Sequence, residues 1–236
     1  MESNSQAKSS SSLNRRSSGT RQIAATGLFA ALSIILTLFS QALVLSFPLI
    51  PYLQFDFGEV AIILALLMFG PIPATGAAIV EFLTLMVLGV NAPIGPAFKI
   101  IAILSSIVGI WAGITLLSRR SGGRINRGIV LGGGLGLGLL TRGVVMTIAN
   151  YFLLAYIYDY SGTVDYLAPF FKLIGLTINT TNGLAIILGF TAIFNSLQLV
   201  LVFAISYGLL RLPQLQNSLR SHRMAWYLSA GKNNSN

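Results

Sequence analysis

Long apolar runs, separated by short polar, glycine or proline stretches, dominate the hydrophobic pattern of this chain. The runs occupy about residues 23–39, 59–70, 72–90, 97–118, 127–158 and 183–211. A helix needs about 20 residues, at ~1.5 Å rise each, to cross the ~30 Å hydrocarbon core of a bilayer. Five of the runs, of about 17 to 30 residues each, approach or exceed this length, so the pattern predicts an all-α integral membrane protein.

The second run decides whether the bundle has five or six helices. Residues 60–69 would cross barely half of the bilayer core, and the Gly-Pro-Ile-Pro sequence at 70–73 is either a turn or a kink. With a turn, 12 of the 15 Lys and Arg residues fall on one side, in the N-terminal segment, the loop at 119–127 and the C-terminal segment. Since cytoplasmic loops are rich in Lys and Arg, this bias favours six helices with both termini cytoplasmic.

Composition shifts divide the chain into three parts. Residues 1–20 are rich in Ser and nearly free of apolar residues, which predicts a disordered tail. Residues 21–211 form the predicted six-helix transmembrane domain, whose first run is too long for a signal peptide and is expected to be retained. Residues 161–182 are predicted to be an external loop or a short interfacial helix able to act as a lid. Residues 212–236 form a basic cytoplasmic or interfacial tail, in which Arg220, Arg223, Trp226 and Tyr227 are typical of a lipid anchor.

Charge and composition exclude several classes of function. Only 9% of the residues are charged, and the net charge of +9 comes from short basic runs at the ends of apolar segments, which indicates membrane topology and not nucleic-acid binding. The chain has no Cys and a single His, His222, in its tail. Without paired carboxylates on one helix or metal-ligand spacing, we expect no enzyme activity, no metal and no cofactor.

The costly ionisable residues within the apolar runs are Glu81 and Arg142, with Lys99 near an outer end of its run. A charge inside the bilayer is costly and normally faces the bundle interior or a wet cavity. Glu81 is therefore either a functional or gating group or half of an ion pair with Arg142 or Lys99. Arg142 is interpreted as a pairing residue, and Lys99 either pairs or extends to the external interface.

Three buried amides are the strongest candidates for binding: Asn150, Asn195 and Gln198. An amide both donates and accepts hydrogen bonds, so it recognises a polar heterocycle without burying a charge. Asn195 and Gln198 share a helix face, and Asn150 lies at a similar depth. The alternative is that these amides only join the helices to one another.

Small residues mark two further features. Glycines at 109, 113 and 132–138 are typical of close helix packing and not of a phosphate loop. Ala24, Gly27 and Ala31 form a stripe on the first helix that either packs internally or docks a partner helix.

Four segments resemble the S components of energy-coupling factor (ECF) transporters, which are six-helix vitamin-binding subunits, and the riboflavin-type group most closely. They are Tyr-Leu-Gln-Phe-Asp-Phe at 52–57, Phe-Gly-Pro at 69–71, Val-Met-Thr-Ile-Ala-Asn-Tyr-Phe at 145–152 and Ile-Phe-Asn-Ser-Leu-Gln at 193–198. Gln54 and Gln198 stand where riboflavin-type members often have Lys, and Glu81 stands in place of the Lys of a frequent Lys-Asn pair.

The resemblance implies a high-affinity binding subunit of a vitamin importer, with riboflavin favoured. It implies that Asn150 and Asn195 bind the vitamin ring and that Leu53 and Gln54 close over it. Glu81 and Gln198 complete the set of candidate binding residues. The resemblance also implies that the first helix docks on a membrane T component, which acts with two ATPase subunits.

Two other functions are consistent with the residues alone. A proton-coupled secondary transporter would use Glu81 as its proton carrier. A membrane assembly subunit would bind no ligand, and its buried amides would serve packing.

Overall fold

The described residues form seven α-helices, a π-helical turn and one small β-hairpin. The computed structural model describes residues 2–89, 92–121, 127–212 and 226. In chain order the elements are α1 (Glu2–Leu43), β1 (Ser46–Phe47), β2 (Ile50–Gln54), α2 (Gly58–Phe69), α3 (Pro71–Leu88), α4 (Ile94–Ser121), α5 (Arg127–Phe152), a π-helical turn (Leu153–Ile157), α6 (Tyr160–Lys172) and α7 (Gly183–Leu210).

Five of these helices are long and apolar enough to cross a membrane within the described residues. Their apolar spans are Gly19–Leu43, Pro71–Leu88, Ile94–Arg120, Gly128–Ile157 and Gly183–Leu210. α2 has 12 residues, or ~18 Å of helix, and is shorter than the hydrocarbon core. The chain is therefore a multi-pass membrane protein with five long helices and one short apolar helix, α2.

The chain reverses direction between α2 and α3. The Ser33 hydroxyl lies 2.9 Å from the Gly58 carbonyl at the start of α2 and 2.6 Å from Glu81 Oε1 in the second half of α3. Gly58 and Glu81 lie on either side of Gly70, so their proximity requires a turn there. Gly70 has a φ of +94°, which a residue with a side chain rarely adopts, and Pro71 begins the next helix. The predicted turn at 70–73 is present, and a kink in one continuous helix is excluded.

α2 lies at the centre of the bundle. It packs against α1, α3, α4 and α7, and its residues 58–67 are all buried. A helix that is apolar on every face is expected in such a position. The main hydrophobic core forms around it.

α4 and α5 form the most extensive helix pair, and glycines permit their close approach. A Cβ atom on Gly113 would lie 2.7 Å from the Gly133 carbonyl oxygen, and one on Gly109 would lie 2.7 Å from the Gly138 Cα. These contacts are the helix packing that the glycine pattern predicts.

A second hydrophobic cluster closes one end of the bundle. It joins the β-hairpin, the π-helical turn, α6 and the first half of α7 through Phe47, Ile50, Leu154, Val164, Leu167, Phe171, Ile178, Ile187 and Phe194. The segment predicted as a loop or short helix at 161–182 thus includes most of a 13-residue helix. Asp159 caps α6, and hydrogen bonds from Ser161 and from the backbone lower its pKa.

α1 extends beyond the predicted first span. Its backbone is helical from Glu2, and the disordered tail expected for residues 1–20 stays a prediction. A helix propagates more easily than it nucleates, and the apolar span supplies the nucleus. Of the proposed lipid anchor, only Trp226 is described. Its ring packs on the α2–α3 turn, 3.0 Å from the position of a Cβ on Gly70, while Arg220, Arg223 and Tyr227 lie outside the described residues.

Candidate substrate site

A cavity of about 590 Å³ lies between the main core and the second hydrophobic cluster. Its walls come from α1, from β2 and the segment that follows it, from α2, α3, α4, α5, the π-helical turn and α7. π-Helical turns are frequent at functional sites, and Leu153 at the start of this one lines the cavity. The volume falls within the ~300–1,000 Å³ that is typical of small-molecule sites.

Asn150 and Asn195 both face this cavity, from α5 and α7, and each is only 3% exposed. Asn150 Nδ2 donates to the Met146 carbonyl at 2.7 Å, and among the described residues no donor contacts its Oδ1. Asn195 Nδ2 donates to the Thr191 carbonyl at 2.9 Å. Each amide keeps one N–H for a ligand, and Asn150 also keeps its carbonyl oxygen.

Gln198 lines the cavity too, but its amide is occupied by the backbone of Asp56. Its Nε2 donates to the Asp56 carbonyl at 2.6 Å, and its Oε1 accepts from the Asp56 N–H at 3.4 Å. The side chain thus ties the segment after β2 to α7. Its geometry is that of a support for the cavity wall, with one N–H left over.

Arg142 and Glu59 form a fully buried ion pair in the cavity wall. Two guanidinium nitrogens of Arg142 donate to the two carboxylate oxygens of Glu59, at 2.6 and 3.1 Å. Arg142 also donates to Ser106 Oγ at 3.3 Å and, through Nε, to Asn195 Oδ1 at 3.2 Å. The last bond uses the Asn195 carbonyl oxygen and fixes it toward Arg142.

Lys99 joins two carboxylates at the other side of the cavity. Its ammonium contacts Asp56 Oδ2 and lies 2.8 Å from Glu81 Oε1. Of the two predicted partners of Glu81, the structure selects Lys99. Lys99 does not extend to the interface, because its side chain is only 14% exposed and is held by these carboxylates.

Five of the six predicted binding residues line the cavity, and one does not. The lining residues are Leu53, the partly buried Gln54 at the end of β2, Asn150, Asn195 and Gln198. Glu81 is not among the lining residues. It is 1% exposed and lies behind Asp56 and Lys99, where it accepts hydrogen bonds from Ser33 and Thr37.

Sequence reasoning missed Asp56 and Glu59 as parts of the site. Both line the cavity and flank Gly58 at the start of α2, where each meets a cation from another helix. The available signal was electrostatic: Lys99 and Arg142 are two cations within apolar runs, so a second carboxylate besides Glu81 had to lie near them, and Glu59 begins the second run.

Aromatic side chains complete the walls, among them Tyr52, Phe55 and Phe194, with Phe55 and Phe194 rings 5.1 Å apart. Partial burial, together with the nearby Tyr158, raises the pKa of Tyr52 to about 12. The Tyr52 hydroxyl therefore stays neutral and can donate a hydrogen bond at physiological pH. Such a surface of rings and amides suits a flat, polar heterocycle.

The stripe of Ala24, Gly27 and Ala31 lies on a face of α1 that the rest of the described chain leaves uncovered. All three are exposed, and a Cβ on Gly27 would meet no atom within 4 Å. The stripe does not pack against other described residues, and docking of a partner helix stays a prediction.

One solved structure shares this architecture. It is that of the S component of a bacterial ECF transporter, which matches with a TM-score of 0.61 and 22% sequence identity over 86% of this chain and 99% of that chain. No family model and no curated protein matches the sequence. The chain therefore has the fold of an ECF transporter S component.

Proposed function

We propose that this protein is the substrate-binding membrane subunit of an ECF-type importer and that its substrate is a vitamin, with riboflavin the first candidate. The observation that carries the proposal is the cavity, in which Asn150 and Asn195 present unused hydrogen-bonding groups between aromatic walls. A buried amide group without a partner is costly, so a ligand that pairs with it binds favourably.

The chemistry of the walls selects the class of ligand. A heterocycle whose edge alternates carbonyl oxygens with N–H groups can pair with two amides at once, and its ring can stack on Phe or Tyr. The isoalloxazine ring of riboflavin has such an edge. A ligand without these groups would leave the amides unpaired and would be rejected.

Vitamin binding is tested on the purified protein. Mass spectrometry of the protein in detergent identifies any bound small molecule, and fluorescence titration with riboflavin and then with a panel of vitamins measures affinity. Binding of riboflavin supports the full proposal. Binding of another vitamin supports the role as a substrate-binding subunit, and that vitamin then replaces riboflavin as the proposed substrate. If no vitamin binds, the assembly-subunit alternative takes its place.

Asn195→Ala is expected to weaken riboflavin binding by about 1–3 kcal/mol, because a group on the ring loses its partner. Ser196→Ala is the matched control, since the Ser196 hydroxyl donates to the Ala192 carbonyl of its own helix. Equal affinities of the two variants would contradict the assigned role of Asn195.

We propose that α1 docks on a T component through Ala24, Gly27 and Ala31, with two ATPase subunits completing the importer. Small residues let two helices approach closely in a bilayer. Gly27→Leu should therefore abolish co-purification of these partners from native membranes while riboflavin affinity stays unchanged. Leu28→Ala, which changes an exposed neighbour, is the control.

A further inference from the structure

A group of polar side chains lies directly behind the cavity wall, between α1, α3 and α4. We call Thr37, Asp56, Glu81 and Lys99 the Thr37 cluster. Thr37 is fully buried and does not line the cavity, whereas Asp56 and Lys99 do. The cluster thus connects the cavity-lining carboxylate of Asp56 to α1, a helix that contributes little else to the site.

Thr37 contacts every other member of the cluster. Its hydroxyl oxygen accepts from Lys99 Nζ at 2.6 Å and lies 3.0 Å from Asp56 Oδ1 and 2.7 Å from Glu81 Oε1. A hydroxyl has a single proton, so Thr37 donates to one of the two carboxylates at a time or shares the proton between them. Replacing the hydroxyl with a methyl group removes this one donor and the acceptor for Lys99.

Asp56 anchors the part of the cavity wall that starts in β2 and ends at this residue. Its backbone is held by Gln198 of α7, and its carboxylate is held by Lys99, by Thr37 and by the N–H of Gly58 at 2.7 Å. Residues 53–55, which line the cavity, come directly before this anchor. Their position depends on how firmly the Asp56 side chain is held.

The approach of α1 to this anchor is close. A Cβ atom on Gly58 would lie 2.0 Å from Thr37 Oγ1 and 2.7 Å from the Ser33 carbonyl oxygen. Glycine at 58 therefore allows the Thr37 hydroxyl to reach Asp56 and Glu81. A side chain at position 58 would occupy the space of the Thr37 hydroxyl.

We propose that Thr37 is a positioning residue for the cavity: its hydroxyl holds Asp56 and so keeps the wall formed by residues 53–56 in place. The consequence for ligand affinity rests on the proposed function. The consequence for the position of the wall does not, since it concerns the protein without any ligand.

Wall position is measured by cysteine labelling, for which the chain is suited because it contains no Cys. Gln54→Cys places a single thiol in the wall, and its reaction rate with a water-soluble maleimide is compared in four backgrounds: Thr37, Thr37→Val, Thr37→Ser and Thr84→Val. Thr84 is a matched control because its hydroxyl donates to the Val80 carbonyl within α3.

The expected result is labelling several-fold faster with Thr37→Val and close to the parent rate with Thr37→Ser and Thr84→Val. Equal rates for Thr37→Val and Thr84→Val overturn the proposal. Thr37→Ala, which removes the hydroxyl without adding a methyl group, repeats the measurement. Loss of folded protein with both Thr37→Val and Thr37→Ala assigns the residue to folding and also overturns the proposal.

Riboflavin titration provides the second readout. Thr37→Val is expected to weaken binding roughly tenfold, with Thr37→Ser and Thr84→Val near the parent value. Unchanged affinity in Thr37→Val overturns the link to ligand binding. If the parent protein binds neither riboflavin nor another vitamin, the proposed function fails, while the labelling rates still decide the role of Thr37.

Discussion

At the scale of single residues, the site depends on pairings between side chains that are far apart in sequence. Arg142 and Glu59 are 83 positions apart, and Gln198 and Asp56 are 142 apart. The sequence predicts which polar residues are buried, because each interrupts an apolar run. It leaves Lys99 and Arg142 as alternative partners of Glu81 and does not identify Glu59 as the partner of Arg142, because helix periodicity carries no information about which helices touch.

The Arg142–Glu59 pair leads to a stability prediction. Glu59→Leu should destabilise the protein by about 3–5 kcal/mol, because it leaves the Arg142 charge buried without compensation. The double variant Glu59→Leu/Arg142→Met should unfold close to the wild-type temperature, since it removes both charges together. Thermal unfolding in detergent measures both, and a double variant as unstable as the single one would contradict this interpretation of the pair.

The double variant also separates folding from binding. It removes the hydrogen bond from Arg142 Nε to Asn195 Oδ1, so the Asn195 amide loses its fixed orientation. A stable double variant with weakened riboflavin binding is the expected combination.

At the scale of elements, the long helices are predictable and the short ones are less so. Length and hydropathy place α3, α4, α5 and α7 within a few residues of their observed limits. The β-hairpin has strands of two and five residues, too short for a pattern, and is not predicted. The turn at Gly70 is ambiguous from local sequence, and a long-range contact between Gly58, Ser33 and Glu81 resolves it.

Helix packing between α4 and α5 gives a prediction at this scale. Gly113→Ala should destabilise the bundle by about 1–3 kcal/mol, because the new methyl group would lie 2.7 Å from the Gly133 carbonyl oxygen and the helices must separate. Gly136→Ala is the control on α5, where nothing lies within 4 Å of the added atom. It should be neutral or stabilising by up to ~1 kcal/mol, since Ala favours helix. Equal unfolding temperatures of the two variants would be evidence against tight α4–α5 packing.

At the scale of the whole molecule, the cavity and most of the described basic residues lie at opposite ends of the bundle. The cavity lies at the end where the β-hairpin, α6 and the start of α7 meet. At the other end lie the described residues Arg21 in the first half of α1, Arg119 and Arg120 at the end of α4, and Arg211 directly after α7. If basic segments stay in the cytoplasm, the cavity opens outward, as an importer requires.

This orientation requires that α2 and α3 each count as one crossing of the membrane, although α2 is only ~18 Å long. Single cysteines at Ser18, Ser121 and Thr180 test it, because the chain has no other thiol. We expect a membrane-impermeant maleimide to label Thr180→Cys in intact cells and to label Ser18→Cys and Ser121→Cys only after permeabilisation. The physical reason is parity: with α2 and α3 both counted, four passages separate residue 18 from residue 121, and with only one counted, three do. Labelling of Ser18→Cys and Ser121→Cys from opposite sides would mean that α2 is a re-entrant element, and the cavity would then have to fill from a different side.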